Sequence, residues 1–94
     1  MAKVSEPAKR PYTVKLYFTE HNLDAAPGER TFNLSLQEES KLQDFDILSE
    51  AGGARHLLVK EFQDVPISSR LKIQLEQTGK LPPVLSGVEL KLQE

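Results

Sequence analysis

Residues 12–18 alternate: Tyr12, Val14, Leu16 and Phe18 fall on one side of an extended chain, and Thr13, Lys15 and Tyr17 on the other. A two-residue period carried by β-branched and aromatic side chains marks a strand buried on one face. The pattern recurs. Residues 31–36 turn Phe32, Leu34 and Leu36 inward, residues 70–77 set Leu71, Ile73 and Leu75 against polar neighbours, and residues 85–92 turn Val88, Leu90 and Leu92 inward. Residues 57–62 read as another strand, closed by Val65-Pro66. The polar segment 19–29 ends in the turn signal Pro27-Gly28, and the strands on either side of it are expected to pair antiparallel. A connection of that length is long for a hairpin, and long loops often carry function.

Residues 37–53 admit two readings. Leu42, Phe45 and Leu48 recur every three positions, as in a helix, while Asp44-Phe45-Asp46-Ile47 fits the end of a strand. The preferred reading is a short strand near 42–45, then one helical turn over 48–51, stopped by Gly52-Gly53. One of these glycines should take a positive φ. The expected core is Tyr12, Val14, Leu16, Phe18, Phe32, Leu34, Leu36, Leu71, Ile73, Leu75, Val88 and Leu90. About six antiparallel strands at regular spacing, punctuated by Gly and Pro, predict an all-β sandwich or jelly-roll over residues 12–94. Residues 1–11, almost without apolar side chains, read as a flexible arm or linker.

Composition narrows the chemistry. Twelve basic and fourteen acidic residues are interspersed, so no basic stripe exists for phosphates and nucleic acid is not an expected partner. No apolar run approaches the ~20 residues of a membrane span, and the N-terminal residues lack a signal-peptide core. With no cysteine, disulfides and thiolate metal sites are excluded. His21 and His56 stand at no metal-ligand spacing, so no metal site and no cofactor are expected. Asp44 and Asp46 flank Phe45 and could suit paired-carboxylate hydrolysis; the simpler reading is that one caps the helical turn and the other is solvated. No nucleophile elbow or phosphate loop is present, and the chain is not expected to be an enzyme.

Several stretches in order carry a resemblance: residues 12–20 (YTVKLYFTE), 28–34 (GERTFNL), 42–53 (LQDFDILSEAGG), 58–62 (LVKEF), 71–75 (LKIQL) and 82–90 (PPVLSGVEL). Together they resemble the malectin family, carbohydrate-binding domains with a galactose-binding-like jelly-roll fold, here closest to bacterial members attached to larger extracytoplasmic proteins. The resemblance covers the C-terminal part of such a domain. It implies a non-catalytic carbohydrate-binding module, with a glucose- or galactose-type glycan as partner and an extracytoplasmic or secreted location. The alternative is an interaction or scaffolding sandwich that has lost the sugar site. Where sugar-binding members carry aromatic residues after the first strand, this chain reads His21-Asn22-Leu23, which favours that alternative.

Under the carbohydrate reading, sugar recognition needs a flat apolar face and planar polar groups. The ligand-binding candidates are Tyr17, turned away from the core side, with Glu20, His21, Asn22 and Asp24 in the following loop. Glu20 could instead be structural, its carboxylate accepting loop N–H groups. Loop carbonyls and carboxylates could hold a structural calcium ion, as in many jelly-rolls. Strands missing from the front of the domain would leave an edge or inner face uncovered, which predicts self-association into a homo-oligomer or, as the alternative, an arm of residues 1–11 folded over the gap; the arm has few apolar side chains, so self-association is preferred.

Overall fold

The computed structural model describes residues 8–93. Six strands and one short helix follow in the order β1 (Arg10–Phe18), β2 (Thr31–Leu36), β3 (Glu39–Asp46), α1 (Ile47–Ala51), β4 (Leu58–Ile67), β5 (Ile73–Gln77) and β6 (Gly87–Leu92). They form two three-stranded antiparallel sheets, ordered β4-β1-β6 and β3-β2-β5. The all-β sandwich with one short helix agrees with the sequence pattern. β1 starts at Arg10, inside the expected 1–11 arm; residues 1–7 lie outside the described residues.

β1 and β2 are the central strands. Val14, Leu16 and Phe18 from one sheet and Phe32, Leu34 and Leu36 from the other are almost wholly buried between them. The Phe18, Phe32 and Phe45 rings close the core at one end, with centroids 4.8–6.0 Å apart, Phe45 meeting the other two edge-on. The expectation that β1 and β2 pair is overturned. β1 bonds β4 and β6, while β2 bonds β3 and β5. The connection between β1 and β2 is long enough to cross from one sheet to the other, so the two strands face each other through the core.

The ambiguous segment is a strand followed by a helical turn, both longer than expected. α1 stops at Gly52, whose φ of 81° is left-handed and whose N–H donates to the Leu48 carbonyl at 3.0 Å. β2 and β3 are joined by Gln37-Glu38, with φ of 51° and 66°, the positive pair that a tight two-residue hairpin requires. The Gln37 side chain holds this unusual turn: its amide donates to the Pro66 and Arg70 carbonyls and its oxygen accepts from the Lys72 N–H. β4 continues through Pro66, which the sequence pattern took as its end. An edge strand can carry proline, because the missing N–H faces away from the ladder.

The inward phase of each strand is as expected, but burial is not. Leu75, Val88 and Leu90, expected in the core, remain 36, 44 and 46 % exposed, while Tyr12, Leu71 and Ile73 are half-buried. Phe45, Ile47, Val65 and Ile67 are buried in their place. The reason is the layering. Phe18 packs on Phe32, and Lys60 of β4 stands 5.6 Å from the Phe45 ring of β3, so β4 lies over β3 and β1 over β2. β6 and β5 are left on the remaining side, where, among the described residues, no further element covers them and Leu75, Val88 and Leu90 stay partly exposed.

Candidate functional site

The outer face of β1 presents Thr13, Lys15 and Tyr17. Register places Tyr17 between Val59 of β4 and Gly87 of β6, and Lys15 between Glu61 and Glu89. Gly87 stands beside the ring: a methyl group there would meet Tyr17 Cδ2 at 3.5 Å, an ordinary van der Waals contact. Val59, 43 % exposed, flanks the ring on the other side. The Tyr17 hydroxyl donates to Glu89 Oε1 at 3.0 Å. That bond pushes the phenol above its ordinary pKa, with partial burial and the Glu89 charge adding to it. Lys15 Nζ lies 3.9 Å from Glu61 and 4.0 Å from Glu89, and a shallow hollow beside it is lined by Thr13, Lys15, Glu89 and Lys91. The surface therefore combines a small apolar platform with carboxylates and an ammonium group, all held by cross-strand register.

The loop at the end of β1 divides the other candidates. His21, Asn22 and Asp24 are exposed, and Asn22 forms a local turn by accepting the Asp24 N–H at 2.9 Å. Glu20 is 2 % exposed and turned inward. Its carboxylate accepts Arg30 Nε at 2.6 Å, a second Arg30 nitrogen at 3.1 Å and the Asn22 N–H at 3.2 Å. Burial alone would raise its pKa. The Arg30 hydrogen bonds, the Asn22 N–H and the charges of Arg30 and His21 outweigh burial and hold it below the usual glutamate value.

Arg30 does not stand out in the sequence pattern. Its guanidinium also donates to the Pro82 carbonyl at 2.6 Å, while the Glu20 carbonyl accepts the Arg55 N–H at 2.8 Å. One buried ion pair thus ties together the loop after β1, the connection before β4 and the segment before β6. Opposite charges at the two ends of a long loop were the available signal. The structure brings Tyr17 and the exposed loop residues to one end of β1 and turns Glu20 away from them.

Asp46 supports this end as well. It occupies the helix N-cap position but bonds no helix N–H, accepting instead the Ser49 hydroxyl at 2.9 Å and the Gly28 N–H at 2.6 Å, while Asp44 sits exposed in a bulge with φ of 47°. Among the described residues, no group of three or more His, Asp or Glu side chains is placed to hold a metal ion, and no helix is long and apolar enough to cross a membrane.

Residues 5–86 match the family model described as Malectin domain. The chain is also 34 % identical over 74 residues to a probable leucine-rich repeat receptor-like serine/threonine-protein kinase of Arabidopsis thaliana. That alignment takes in 73 % of this chain and 7 % of the kinase, so the likeness is to a small part of a much larger protein. With the match running from before β1 to the start of β6, over a sandwich whose strands keep the phase of the sequence, the chain belongs to the malectin family.

Proposed function

We propose that this chain is a non-catalytic carbohydrate-recognition module of a larger extracytoplasmic protein. It reads a glucose- or galactose-type glycan with Tyr17 and the exposed loop residues His21, Asn22 and Asp24, and it needs no cofactor. Family membership supports the class, and the receptor-like relative supports the location. The observation that carries the reading is the platform on β1. Tyr17 stands between Gly87 and exposed Val59, with Glu89, Lys15 and Glu61 around it. A pyranose offers an apolar C–H face to such a ring and hydroxyls to the carboxylates. Glu20 contributes indirectly, by holding the loop.

Chemical-shift mapping with glucose, maltose and galactose oligomers tests this. Shifts confined to Tyr17, Val59, Gly87 and residues 21–24, and lost in Tyr17→Ala, are the expected result. Spectra unchanged at millimolar sugar would refute it. A second reading, a protein-interaction sandwich, is favoured by the exposed inner faces of β5 and β6, and would survive a failure to bind sugar.

A further inference from the structure

The four edge strands of the sandwich are not alike. On the closed side, β3 and β4 are irregular: the β1–β4 ladder slips between Tyr12 and Val14, the β2–β3 ladder slips twice, and Pro66 lies in β4. Asp44 and Asp64, with φ of 47° and 58°, mark the bulges. Bulges and proline blunt an edge against pairing with another chain. On the open side, β5 and β6 follow their neighbours in unbroken register.

The hydrogen-bonding phase shows which groups these edges offer. The Gln93 N–H bonds the Pro11 carbonyl at 2.9 Å, so in this ladder residues 91 and 89 bond β1 while Val88, Leu90 and Leu92 turn their N–H and C=O groups to the free edge. These three residues also point their half-exposed side chains to the inner face, opposite Leu16, Val14 and Tyr12. Among the described residues, β6 is thus an unguarded edge with an apolar inner face and no strand paired to these backbone groups.

We infer that the chain forms a two-fold dimer by antiparallel pairing of β6 with β6 of a second copy, with Leu90 opposite the partner's Leu90. The sequence Gly87-Val88-Glu89-Leu90-Lys91-Leu92 is self-complementary about Leu90. In this register Glu89 faces the partner's Lys91, Lys91 faces the partner's Glu89, and Val88 faces the partner's Leu92. A slip of two residues sets Glu89 against Glu89 or Lys91 against Lys91. A slip of one sets edge-facing residues against inward-bonded ones and turns apolar side chains to the wrong face. Charge and face are both satisfied in one register. β5 lacks this property, since pairing Ile73-Gln74-Leu75-Glu76-Gln77 with itself about Leu75 places Ile73 against Gln77. Joining the β6 edges makes one continuous sheet, β4-β1-β6 followed by its mate, and brings the two open inner faces onto the same side.

Sedimentation equilibrium on the whole chain, with charge exchange at β6, tests the pairing. The wild type should reach twice the 10.6 kDa chain mass at micromolar to millimolar concentration. Glu89→Lys and Lys91→Glu should each weaken self-association by roughly tenfold, because both cross-strand pairs become repulsive. Mixed one to one, these two variants should dimerise with each other, and the double exchange in one chain should restore the wild-type constant. Leu90→Pro should abolish the dimer while leaving the β1 ladder intact, because the N–H it removes faces the free edge. A monomer at roughly 1 mM overturns the proposal. So does a dimer insensitive to the charge exchange, because it would form elsewhere. The readout is mass, so the outcome is independent of whether the chain binds a sugar.

Discussion

Replacing Arg30 by Met leaves the inward Glu20 carboxylate with one remaining neutral donor, the Asn22 N–H at 3.2 Å, and removes the bond to the Pro82 carbonyl. Glu20 is 2 % exposed and the Arg30 side chain 11 %, so little water reaches the vacated partner. Breaking a buried pair by removing one member costs ~3–5 kcal/mol, and a unit-charge pair ~4 Å apart at an effective dielectric of ~20 gives about 4 kcal/mol. Because Arg30 retains some exposure, the lower end, about 3 kcal/mol at pH 7, is the expected loss.

The pH dependence separates this from lost packing. In the wild type the Glu20 pKa is lowered on folding, so its contribution is present above the ordinary glutamate value of ~4.3 and is lost as pH falls through the lowered folded value. In Arg30→Met, burial is no longer offset and raises the Glu20 pKa. The folded variant then takes up a proton before the unfolded chain does, and its deficit relative to wild type narrows between pH 7 and about pH 4. Glu20→Leu/Arg30→Met, which removes both charges, should recover to within about 1 kcal/mol of wild type. Urea unfolding followed by far-ultraviolet circular dichroism at the two pH values measures all three. A loss below about 1 kcal/mol in Arg30→Met, or a deficit equal at both pH values, would show that Glu20 does not depend on Arg30 for its charge.

Two further outcomes are expected from the same measurement. Leu16→Ala, at a fully buried site between the sheets, should cost ~2–5 kcal/mol, whereas Val88→Ala on the open inner face should cost less than about 1 kcal/mol at monomer concentrations; equal losses would mean that β6 is covered. Glu38→Gly should stabilise by ~0.5–1 kcal/mol, because a φ of 66° strains a side chain by more than glycine's extra backbone entropy costs; a loss of stability would show that the Glu38 contact with Lys72 matters more than the strain.

Much of the candidate surface follows from local alternation. Tyr17 is on the outer face because Leu16 and Phe18 are inward, and a period of two leaves no other choice. The turn residues were equally legible, since Gly52 and Gly53 both take the positive φ that their place after a helical turn suggested. Glu20 broke the local rule. A carboxylate in a polar loop is ordinarily solvated, and only the approach of Arg30 from the far end of that loop makes its burial tolerable.

From the sequence alone came the strand phase, the all-β class and the absence of cysteine chemistry, because each depends on composition or on neighbours within a few residues. The tertiary structure decided which strands pair, and it overturned the pairing of β1 with β2, since a long loop can serve a hairpin or a crossing between sheets equally well. It also decided which inward residues meet a facing layer. Leu16 and Leu90 have the same inward phase, yet Leu16 is fully buried beneath the second sheet while Leu90 is left half-exposed at its open side. Alternation sets the direction of a side chain; burial depends on what stands opposite, and that is supplied by residues distant in sequence.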